Sequence, residues 1–184
     1  MMKSLDRLPG WIEALPYALI VLGAVLRVVP HPANFAPIGA MALFGGALLR
    51  GAWAFAVPLA ALVLSDLVLG FYPGWIWVYG SFALIVLIGK ALGRRRTTLR
   101  VAGAAVGSSI LFFVITNLGE WFGPLYPHTL AGLGTDFAAA IPFFRNTALS
   151  DLVYVLAFFG IYQSAIRLAG KPHGRLASAS QRTT

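Results

Sequence analysis

The 184-residue chain contains no cysteine. That absence excludes disulfides, thiolate metal centres, iron–sulfur ligation and cysteine nucleophiles, and leaves compartment unreadable from redox chemistry. Charge is scarce as well: Asp, Glu, Lys and Arg make up 11% of the residues, against about 25% in ordinary soluble domains. No nucleophile–base pair, phosphate-cradling glycine loop or metal-spaced histidine set is present, and His31, His128 and His173 lie far apart. Catalytic residues, a metal site and a cofactor of the chain's own are therefore not expected.

What is there is apolar: 59% of the residues are hydrophobic. At this length the composition describes one polytopic, all-α membrane domain. The net charge of +8 does not point to nucleic acid. The basic residues form short clusters between apolar runs, instead of interleaving with stacking aromatics on a polar face.

Taken in order, residues 1–10 form a polar leader carrying Lys3 and Arg7, followed by an apolar run from Trp11 to Val29. The run is long and offers no small-x-small cleavage site, so it is expected to be a retained first span and not a signal peptide. Pro30, Pro32 and Pro37 then stop the helix, giving a polar corner, His31-Pro32-Ala33-Asn34-Phe35-Ala36-Pro37. Further spans are expected at 38–49 (short for a bilayer), 52–71 (kinked at Pro58), 78–92, 101–121 and 143–168. Tyr72 to Trp77 reads as an aromatic turn. Residues 122–142 read as the longest connection, too polar and broken to span. The core domain is thus 11–168, with a polar, disordered tail at 169–184.

Placing the N-terminus inside puts twelve of the fourteen Lys and Arg residues on one face and leaves only Arg27 and Arg145 on the other. By the positive-inside rule both termini are cytoplasmic, and the connections at 30–37, 72–77 and 122–142 lie outside. The few charges near the outer half (Arg27, Asp66, Glu120, Arg145 and Asp151) should face the bundle interior or a partner. Asp66 and Asp151 fall in matching segments, Leu64-Ser65-Asp66-Leu67-Val68 and Leu149-Ser150-Asp151-Leu152-Val153, a faint echo of transporter repeats. Two readings stand for each Asp: ligand contact, or local capping and pairing. Arg145 likewise either opens the sixth helix toward the site or snorkels to the interface.

Aromatics crowd the outer rim, including Phe35, Tyr72, Trp75, Tyr79 and Tyr126. An interfacial belt accounts for some, but the inner rim has few, so an outward-facing pocket is expected, oriented by polar groups of His31, Asn34, Ser81, Asn117, His128 and Asn146. Small residues at four-residue steps, Ala14/Ala18, Ala52/Ala56/Ala60 and Gly103/Gly107, are expected to be internal packing seams; one facing outward would be a docking surface.

The segments HPANFAPIGAMALFGGALLRG, VPLAALVLSDLVLGFYPG, VYGSFALIVLIG, TNLGEWFGPLYPHTLAGL and AAIPFFRNTALSDLVY, with six spans and both termini inside, resemble the substrate-binding S components of energy-coupling-factor (ECF) vitamin transporters, in particular the cobalamin type of Gram-negative bacteria. The resemblance implies a non-enzymatic subunit of the bacterial inner membrane. It would capture a small-molecule vitamin, a corrinoid as the transported ligand, under the first, third and fifth loops. It would then dock on a coupling subunit driven by two ATPases. Some cobalamin-type members carry a cobalt-ligating cysteine near the third loop. Ser81 stands where such a ligand would lie, and a hydroxyl is a poor soft-metal ligand. The docking motif of the first helix is matched loosely by Ala14 and Ala18. Two other classes compete: a stand-alone ion-coupled permease using Asp66 and Asp151 as proton sites, and a membrane enzyme or assembly factor with Glu120, His128 and Asp151 as acid–base groups.

Overall fold

A computed structural model describes residues 9–93 and 95–170. The expectations placed on the N-terminal leader, Arg94, His173 and the tail beyond 170 lie outside the described residues. Within them the chain forms six helices and no strands: α1 (Gly10–Val28), α2 (Ile38–Leu48), α3 (Trp53–Leu69), α4 (Trp75–Leu92), α5 (Thr98–Trp121) and α6 (Leu130–Ala169). Four of them, α1, α4, α5 and α6, are long and apolar enough to cross a membrane, so this is a membrane protein. α2, at 11 residues, rises only about 16 Å and cannot cross a ~30 Å hydrocarbon core alone.

The short helix is the centre of the molecule. Gly39 through Ala47 are all buried, and α2 touches each of the other five helices. A helix apolar on every side belongs inside a bundle, and α2 has no polar face to give to solvent. Its glycines set how close the neighbours come. A Cβ on Gly46 would overlap the Val86 carbonyl of α4, and one on Gly89 of α4 would overlap the Leu43 carbonyl of α2, so the two backbones are in contact. On the far side, Phe44 sets its ring edge-on to Phe159 (5.1 Å between centroids) and to Phe158 (5.6 Å) of α6, a favoured aromatic geometry.

Three helix starts differ from the sequence expectation by three residues or more; one is α5, which begins at Thr98 and not at 101. The aromatic turn is shorter, because Trp75 to Trp77 already form the first turn of α4 after Gly74, which takes a left-handed φ of 82°. The connection expected at 122–142 is mostly helix: α6 begins at Leu130 and runs 40 residues through Pro142. Thr129 caps it, its side chain accepting from Gly132 N at 3.1 Å. Gly132 has no side chain to clash with the Pro127 carbonyl beneath it. Pro142 removes only one ladder bond, and the packing of α6 along α5 keeps the helix going.

The small-residue stripes are the reverse of the expectation. Ala14, Ala18, Ala52, Ala56, Ala60, Gly103 and Gly107 all face outward, and nothing lies within 4 Å of a Cβ placed on Gly103 or Gly107. The close seam runs instead through Gly46 and Gly89. Spacing reveals a stripe, but not the side of the bundle it faces.

The connections at 29–37, 70–74 and 122–129 share one end of the bundle, and those at 49–52 and 93–97 share the other. Described cations divide accordingly. Arg50, Lys90, Arg95, Arg96, Arg100 and Arg167 belong to the second end, Arg27 and Arg145 to the first. At the basic end, Arg96 donates to the Ala47 carbonyl in the last turn of α2, satisfying a helix C-terminus with a cation. Burial lowers the Arg96 pKa.

Candidate functional site

The proline corner forms one wall. It is clasped to α6 by Asn146, whose amide donates to the Ala33 carbonyl at 2.9 Å, and by Ser150, which lies 3.4 Å from the Ala36 carbonyl. Asn34 takes a left-handed φ of 58°, a conformation that Asn tolerates better than other residues with a Cβ. Each ring nitrogen of His31 lies 3.0 Å from a carbonyl, that of Pro32 or of Arg27.

Two polar knots stand below the corner. In the first, Arg27 in the last turn of α1 meets Asp66 of α3 at 2.6 Å. The Arg27 guanidinium also donates to Ser65, which lies 2.8 Å from the Leu62 carbonyl. Tyr79 of α4 donates to the other oxygen of Asp66 at 2.7 Å. Arg27 is 9% exposed and Asp66 fully buried, so this ion pair is removed from water and held by its hydrogen bonds. Tyr72, half-buried in the α3–α4 connection, has its pKa raised, first by burial and then by the Asp66 charge, with Arg27 opposing. In the second knot, Asp151 of α6, 3% exposed, accepts from Ser109 of α5 at 2.7 Å. Its carboxylate rests on Gly39 at the start of α2, where a Cβ would overlap it.

A cavity of about 200 Å³ opens between the knots. Arg27, His31, Asn34, Phe82, Phe112, Thr147 and Asp151 line it. A second, of about 140 Å³, adjoins it through Asn34, Phe112 and Thr147 and adds Thr116, Asn117, Phe143 and Phe144.

Of the residues expected from sequence, His31, Asn34, Asn117 and Asp151 line these cavities, and Asp66 and Tyr79 form the knot behind the first. Asn146 acts one step back, through the clasp. The others are elsewhere. Ser81 is buried and donates to the Trp77 carbonyl in its own helix at 2.7 Å, so its hydroxyl is committed and is not offered to a ligand. Trp75 sets its ring edge-on to Tyr79 at 5.5 Å, and Phe35 tilts against Tyr154 at 5.9 Å. His128 lies 3.1 Å from the Gly123 carbonyl and 5.7 Å from the Trp121 ring. With Tyr126 it belongs to the α5–α6 connection and not to the cavity walls. Arg145 is exposed on α6 and lines neither cavity. Most rim aromatics pack on one another and stay out of the cavities; Phe143 and Phe144, also expected at the outer rim, do line the second one. Among the described residues no hydrogen bond joins Glu120, His128 and Asp151 to one another, and they form no cluster that could hold a metal ion.

Sequence reasoning missed Ser109, Thr147, Phe82, Phe112 and Gly39, and noted Arg27 only as a charge. The available signal was polar residues inside apolar runs, Ser108-Ser109 and Thr147. In the matching Leu-Ser-Asp-Leu-Val segments both Asp residues are buried and each accepts from a hydroxyl of a neighbouring helix.

Comparison with curated proteins and with solved structures gives no match. A family model described as a family of unknown function, DUF6580, matches residues 11–172, and the chain belongs to that family.

Proposed function

We propose that this protein is a small-molecule capture subunit of a bacterial inner-membrane uptake system, built like an ECF S component, with its cationic end in the cytoplasm and its cavity opening outward. The observation that carries this reading is the pair of adjoining cavities beneath the clasped proline corner, walled by α1 through α6 and lined by polar groups at the end poor in cations. Apolar walls with a few convergent polar groups are the usual anatomy of a ligand site. The outward small-residue stripes on α1 and α3, which are packed together, are the surface we assign to a coupling subunit and its ATPases.

The cavity volume favours a ligand smaller than the corrinoid that the resemblance implies, because ligand sites for drug-sized molecules run to ~300–1,000 Å³. The ion-coupled permease remains as a second reading on one observation: Asp66 is neutralised by Arg27, whereas Asp151 has no cationic partner among the described residues, so Asp151 alone would carry the proton.

Tryptophan fluorescence of the purified chain, titrated with a panel of small vitamins and with a corrinoid, tests the capture role. Saturable quenching by one member supports it, and flat titrations throughout overturn it. Protonophore-sensitive uptake by the chain alone in proteoliposomes would favour the permease.

A further inference from the structure

The walls of the larger cavity differ in charge. Arg27 reaches it, but its guanidinium is already engaged by Asp66 and Ser65, and Tyr79 occupies the second oxygen of Asp66. His31 stands at the mouth with both ring nitrogens on backbone carbonyls. Asp151 is different. Its carboxylate is 3% exposed, lines the cavity, and has a single side-chain partner, the neutral Ser109 hydroxyl. It rests on Gly39, in the first turn of α2. The leading amide groups of a helix lack partners in their own helix and carry the positive end of its dipole, which favours an anion there. Asp151 thus has no counter-ion among the described residues, and buried charges are ordinarily paired. Phe82 and Phe112, stacked at 5.1 Å, line the same space, and the face of an aromatic ring attracts cations.

We infer that the cavity selects small organic cations: a ligand ammonium or amidinium group donates to Asp151 while its ring or hydrocarbon body packs on Phe82 and Phe112. The volume of about 200 Å³ is roughly the share of seven liquid waters at ~30 Å³ each, room for a single-ring cation and not for a fused polycycle. This deepens the capture reading and rests on it.

The test uses the purified full chain in detergent and three probes of one shape, benzylammonium, benzyl alcohol and benzoate, with thermal unfolding and tryptophan fluorescence as readouts. Benzylammonium is expected to saturate and to bind at least ~10-fold more tightly than either of the others, the factor that 1.4 kcal/mol represents. Asp151→Asn is expected to remove that preference. Benzyl alcohol binding as tightly as benzylammonium, or benzoate binding more tightly, overturns the cation assignment and leaves the capture role standing. No saturable response to any probe also overturns the cation assignment, while the capture role is decided by the vitamin titrations. The decisive comparison is made on the wild-type chain, so it holds even if Asp151→Asn fails to fold.

Discussion

Removing one partner of the Arg27–Asp66 pair should be far more damaging than removing both. Asp66 is fully buried and Arg27 nearly so, 2.6 Å apart, and Asp66 also accepts from Tyr79. Asp66→Leu leaves a buried guanidinium without its counter-ion and a tyrosine hydroxyl without its acceptor. Breaking a buried pair from one side costs about 3–5 kcal/mol. At about 2–4 °C per kcal/mol for a chain of this size, that lowers Tm by roughly 6–20 °C. Arg27→Met should cost a similar amount. The double variant, with neither charge left to solvate, should be more stable than either single one, because apolar replacement of a whole buried pair is often neutral or better. Tyr79→Phe leaves the ion pair intact and should cost about 1 kcal/mol. The assay is thermal unfolding in detergent of all four variants, read as a double-mutant cycle. The reasoning is refuted if the two single substitutions add, with the double variant the least stable of the set.

Gly46→Ala should destabilise by about 1–3 kcal/mol, because the new methyl meets the Val86 carbonyl and neither backbone can withdraw; Gly103→Ala, with open space around it, should be neutral or stabilising by up to ~1 kcal/mol, and thermal unfolding separates the two. Asn34→Val should cost about 1–2 kcal/mol more than Asn34→Gly, since a β-branched residue resists the left-handed φ of 58°. Asn146→Ala removes the bond to Ala33 and should cost about 1 kcal/mol. It should also speed proteolysis at the corner, measured as the half-life of the intact chain. The raised pKa of Tyr72 means that the folded state holds the phenol proton more tightly than the unfolded chain. Its contribution is therefore complete below pH ~10 and lost as pH rises beyond, and Tyr72→Phe should flatten the alkaline fall in Tm.

Much of the fold was legible because apolar runs and prolines are local signals. The proline corner, the starts of α2 and α3, and the division of cations between the two ends follow directly from residue order. The α6 start at Leu130 was not legible, because Gly132, Gly134 and Pro142 read as breakers, and only contact with α5 makes them tolerable. The site was half legible. His31, Asn34 and Asp151 are polar residues in apolar surroundings and announce themselves. Ser81 looks the same in sequence, yet its hydroxyl turns back onto Trp77 in its own helix. The partners of Asp151 could not be read because they are long-range: Ser109 lies on a different helix, and Gly39 matters only for the side chain it lacks.

The 11-residue α2 has a consequence for biogenesis. A segment that brief does not partition stably into lipid by itself, although it leaves the ribosome before four of the helices that enclose it. We expect it to wait at the translocon or the headgroup layer until α4 and α6 have emerged and to enter last, so that a nascent chain arrested before residue 169 would hold α2 outside its final berth.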